Sequence, residues 1–142
     1  VDENQQVGRY RLCRRLAVGG MGEVHLAAQT GPAGFEKLVV LKRMLPSMAS
    51  DRELVKLFLD EARLVARLNH RNISQVIELA KDGDGYFVAM EYVPGPSLAA
   101  VIDRLAETRA TLPPAIALEI AMQVAEALDY AHSATNPDGT PL

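Results

Sequence analysis

Leu16-Ala17-Val18-Gly19-Gly20-Met21-Gly22-Glu23-Val24, with Val39-Val40-Leu41-Lys42 downstream, decides how this chain folds. A glycine-rich turn lies between two short apolar runs, and a lysine closes the next apolar run. Three glycines in four positions leave little side-chain bulk, so backbone N–H groups can approach phosphate oxygens closely. The pattern describes a β-hairpin over a polyphosphate with one ammonium aimed at it.

Working outward, residues 9–45 read as three strands: Tyr10–Ala17, Glu23–Gln29 and Leu38–Met44. Thr30-Gly31-Pro32-Ala33-Gly34 turns the chain between the second and third. A helix follows. Ser50 and Glu53 have capping-box spacing, and Asp51 suits the positive N-terminal end of the helix dipole. Leu54, Phe58, Val65 and Leu68 form its apolar stripe, and Glu61 falls in the same register, which predicts a carboxylate on the buried face. Two further strands, Ile73–Ala80 and Tyr86–Tyr92, flank the hairpin turn Asp82-Gly83-Asp84-Gly85. Pro94-Gly95-Pro96 interrupts regular structure. Helices are then predicted over Ser97–Glu107 and Pro114–His132, the longer with Ile116, Ile120, Val124 and Leu128 on one face. His25 is expected to be exposed, and Arg9, Arg11, Arg14 and Arg15 to lie on a solvated edge.

Composition narrows the function. With 142 residues and a net charge of −3, nothing points to nucleic acid or an anionic membrane as partner. The single cysteine, Cys13, provides neither a disulfide framework nor a metal-ligand set, and suits a reducing cytoplasm. No apolar run reaches the ~18 residues that a membrane span requires. No metal site is expected.

These motifs, in this order, resemble the amino-terminal part of a eukaryotic-type Ser/Thr protein kinase domain. G-x-G-x-x-G-x-V falls on residues 17–24, with Ala17 for the first glycine, and V-A-I-K falls on residues 39–42. The resemblance implies an α+β fold: a kinase-like N-lobe, with a five-stranded antiparallel sheet and one main helix, then the first helices of the C-lobe. It divides the chain into a leader (1–8), N-lobe (9–90), hinge (91–97) and partial C-lobe (98–142).

It also assigns roles. Lys42 would hold the α- and β-phosphates of ATP and pair with Glu61. Leu16, Ala17, Val18, Gly19, Gly20, Met21, Gly22, Glu23 and Val24 would cover the nucleotide. Val24 and Val40 would sandwich the adenine, with Met90 behind it. The Glu91 carbonyl and the Val93 N–H would bond the adenine edge, and Ser97 would meet the ribose. His70-Arg71-Asn72-Ile73 resembles the family's H-P-N-I turn, a bracing element.

The implied function is transfer of the ATP γ-phosphate to a Ser or Thr hydroxyl of a protein substrate, in a cytoplasmic, bacterial-type member. The alternative is a pseudokinase or nucleotide-gated interaction module. No H-R-D-x-x-x-x-N, D-F-G or A-P-E occurs in the chain, so the catalytic aspartate and the Mg²⁺ ligands are expected beyond Leu142. The 142 residues alone are expected to be inactive, and their exposed apolar helix face to favour self-association.

Overall fold

The computed structural model describes residues 5–20, 22–136 and 138–142. The strands are β1 (Gln6–Val7), β2 (Tyr10–Gly19), β3 (Gly22–Thr30), β4 (Glu36–Met44), β5 (Val76–Asp82) and β6 (Gly85–Glu91). The helices are α1 (Arg52–Ala66), α2 (Leu98–Glu107) and α3 (Pro114–Ser133). The chain forms two compact units, one running through Asn69 with Ser74–Tyr92, the other comprising His70–Ile73 with Val93–Leu142.

In the first unit all strand pairs are antiparallel, in the order β1-β2-β3-β4-β6-β5. The sheet has one strand more than the five expected, because Gln6 and Val7 pair with Arg11 and Tyr10. Two residues show no periodicity, so only the pairing reveals that strand. The fourth expected strand starts at Val76 rather than Ile73. Ile73 N–H instead donates to the His70 carbonyl at 3.0 Å, closing a turn. β2 slips register at Cys13 and at Leu16, two bulges that increase its twist.

Each face of the sheet has its own core. Val7, Tyr10, Leu12, Ala27, Val39, Leu41, Phe87 and Ala89 fill one face. There the Tyr10 and Phe87 rings meet edge to face, with centroids 5.8 Å apart. The Tyr10 hydroxyl donates to Glu78 Oε2 at 2.7 Å, and burial pushes its pKa up. The opposite face carries α1, where Met44, Phe58, Ala62 and Val88 are buried. Full burial of a side chain such as Phe58 contributes about 1.5–3 kcal/mol.

Three expectations need correction. His25 is not exposed but fully buried: it stands opposite Leu41 of β4, on the sheet face that the Tyr10 and Phe87 core fills. The cap of α1 is not a Ser50–Glu53 box: the Asp51 carboxylate accepts from the N–H groups of Glu53 (2.9 Å) and Leu54 (3.2 Å). Glu61 lies on the sheet-facing side of α1, yet its side chain is 48% exposed, because the sheet does not reach over it.

In the second unit, Ser97 caps α2, its Oγ accepting from Ala100 N–H at 3.2 Å. His70 Nδ1 accepts from Asn72 N–H at 3.2 Å, and its ring stacks on Tyr130. Arg71, which stands where the family's turn has proline, pairs with Glu126 at 2.9 Å. Asn72 Nδ2 donates to the Gln123 carbonyl at 3.0 Å. The turn at 70–73 is thus fastened to α3.

Candidate nucleotide-binding site

Register explains why the candidate residues share a face. β3 and β4 pair Val24 with Lys42 and Leu26 with Val40, while β4 and β6 pair Lys42 with Val88 and Val40 with Met90. Side chains directly opposite one another project to the same side, and alternate residues project together. Val24, Val40, Lys42 and Met90 therefore stand on the face that carries α1, and Ala17, opposite Val24, joins them.

Lys42 Nζ donates to both Glu61 carboxylate oxygens, at 2.6 and 2.9 Å. The ammonium also lies 5.7 Å from the centroid of the buried Phe58 ring. The motif reading did not identify Phe58 as a partner of Lys42. Its signal was its place one helical turn before Glu61. Lys42 and Glu61 border a small apolar cavity with Phe58, Val65, Val76 and Met90. The Lys42 side chain is 24% exposed, so the pair opens on one side to solvent while its stems pack against the core.

The glycine hairpin closes with Gly19 opposite Gly22. Met21, expected at its tip, lies outside the described residues. The glycines differ in what they permit. A Cβ on Gly22 would sit 2.3 Å from the Arg43 carbonyl oxygen, so glycine there is required by the approach of β3 to β4. A Cβ on Gly20 would meet nothing within 4 Å, and no positive φ demands glycine there. Leu16 and Val18 expose 39% and 58% of their surface.

At the end of β6, the Glu91 carbonyl accepts from Ser74 Oγ at 3.1 Å, and Glu91 N–H donates to the Gln75 carbonyl at 2.9 Å. A carbonyl oxygen has two lone pairs, so Ser74 leaves one acceptor position. Ser74 had no motif to announce it. Val93 and Ser97 belong to the second unit, where Val93 is 66% exposed.

The donor set suits a nucleoside triphosphate. It offers an oriented ammonium, an apolar strand face for a base, and a backbone at Gly20 with open space around it. Among the described residues no three His, Cys, Asp or Glu side chains gather as a metal site, and no helix is long and apolar enough to cross a membrane.

Residues 10–135 match the protein kinase domain family, and the chain belongs to that family as the N-terminal part of such a domain. It is 41% identical over 138 residues to the tyrosine-protein kinase MasK of Myxococcus xanthus, covering 97% of this chain and 21% of that protein. It is 33% identical over 125 residues to the serine/threonine-protein kinase PrkC of Bacillus subtilis, covering 88% of this chain and 18% of that protein. The crystal structure of the Mycobacterium tuberculosis PknI kinase domain superimposes with a TM-score of 0.69 at 33% identity, over 96% of this chain and 55% of that domain. The chain thus spans about a fifth of the curated relatives' length.

Proposed function

We propose that this chain is the ATP-holding part of a cytoplasmic protein kinase that transfers the γ-phosphate to a Ser or Thr hydroxyl of a protein substrate. The observation that carries this reading is the two-oxygen grip of Glu61 on Lys42, opposite Val24 on the strand that leaves the glycine hairpin. Glu61 fixes the ammonium, so the charge meets the phosphates without reorganising. Gly19 and Gly20 leave room for backbone donors to approach, while Val24 and Val40 present apolar surface to the base. Mg²⁺ bound with the nucleotide would neutralise phosphate charge. Glu61 is already engaged by Lys42. By resemblance to the family, Glu91 and Val93 serve the adenine edge and Ser97 the ribose.

The preference for Ser/Thr rests on the resemblance and on relatives such as PrkC; the similarity to MasK, named a tyrosine kinase, makes Tyr the competing acceptor. Phosphoamino-acid analysis of the product separates the two. In the full-length protein, Lys42→Met should lower phosphoryl transfer by at least about 100-fold while the fold survives, since a half-exposed ion pair contributes only about 0–1 kcal/mol to stability. Retained transfer at an unchanged melting temperature would sink the role given to Lys42. Glu61→Gln should give a smaller loss, because shape is kept and only the charge on Lys42's partner disappears.

A further inference from the structure

His25 is fully buried, and the site as described does not use it. It stands on β3, two residues after Glu23, so the two side chains share a face, the one opposite Val24 and Lys42. Its Nε2 lies 2.9 Å from Glu23 Oε2. A carboxylate only accepts, so the neutral imidazole must carry its proton on Nε2, which leaves Nδ1 as a bare acceptor. No described residue reaches Nδ1 within hydrogen-bonding distance. The other tautomer would bury an unmade donor and set a lone pair against the carboxylate. The contact with Glu23 is therefore what selects the tautomer of this ring.

Glu23 directly follows Gly22, where β3 leaves the glycine hairpin. Ahead of it, Gly19 and Gly20 have no side chain to anchor, and β2 bulges beside Leu16. Burial confines His25, and its Nε2 contact ties Glu23 to it on the face away from Lys42. We propose that His25 is a positioning residue that acts through Glu23 to hold the base of the glycine hairpin, and so sets how well the hairpin's backbone receives the phosphates of ATP. The inference rests on the nucleotide reading above and adds to it a residue on the far side of the sheet.

The test uses the full-length protein. His25→Phe keeps an aromatic ring in the core and removes the donor; it should raise KM for ATP about three- to tenfold, less than the full worth of a hydrogen bond to a charged group because the loss reaches ATP only through the hairpin, with kcat falling less than about twofold. Glu23→Ala should do the same, and the double variant should be no worse than either single one. His25→Gln, which keeps a side-chain donor, should recover most of the loss. An unchanged KM in His25→Phe, or a double variant whose losses multiply, overturns the proposal. If His25→Phe does not fold, Glu23→Ala decides by amide exchange: residues 16–24 must exchange several-fold faster, and unchanged exchange overturns it. Lys42→Met runs alongside. A silent His25→Phe beside an inactive Lys42→Met refutes the clamp alone, whereas an active Lys42→Met refutes the nucleotide reading.

Discussion

At Gly22 the reason for glycine lies in the sheet. A methyl group there would overlap the Arg43 carbonyl at 2.3 Å, and a backbone atom of a paired strand cannot move aside cheaply. Gly22→Val should therefore lower stability by about 1–3 kcal/mol or more, seen as a lower denaturation midpoint, whatever it does to ATP. Gly20→Val meets open space, so the midpoint should stay put while KM for ATP rises. A KM unchanged in Gly20→Val would argue against backbone approach at the hairpin tip. The motif fixes Gly22 and leaves Gly20 open, and the contacts agree: a side chain at the first would strike the paired strand, while one at the second has room. Lys42 and Glu61 were legible from motif and helical register together. The exposure of Glu61 was not, since periodicity reports the angle around a helix and not how far the neighbouring sheet extends.

Among the elements, α1 matters most because it carries Glu61. Its start is set by Asp51, whose carboxylate satisfies two N–H groups that have no partner within the helix. Asp51→Ala should cost about 1 kcal/mol, whereas Ser50→Ala should be silent in the same denaturant titration. Equal effects would restore the Ser50 box. S-x-x-E spacing and an aspartate inside it offer the same helix two starts one residue apart, and the choice follows from the preceding backbone, which sequence does not display. The central strands were legible from alternation and turn residues. β1 was not, because Gln6 and Val7 become a strand only when β2 presents Arg11 and Tyr10 to them.

At the scale of the whole molecule, the two units differ in how well they cover their apolar residues. The first has a core on each face of its sheet, whereas α2 and α3 bury no residue fully. Between those helices runs an open groove of about 470 Å³ with Ile102, Ile120, Val124 and Leu128 on its walls. Ile102, Val124 and Leu128 each expose about half their surface. Exposed apolar area of this kind favours association. Residues 1–142 prepared alone should sediment as more than a monomer, and Val124→Glu should shift them toward monomer; a monomer with a sharp melt would count against this.

By itself the sequence determined the family, the order of the five longer strands and the three helices, and the pairing of Lys42 with Glu61, because motif spacing and local periodicity are properties of the chain. Only the tertiary structure decided that His25 is buried, that Gly22 serves the sheet, that Ser74 reaches the Glu91 carbonyl and that Phe58 lies beneath the Lys42 ammonium. Each of these depends on which strand or helix lies alongside, a contact between residues distant in sequence that no local pattern encodes.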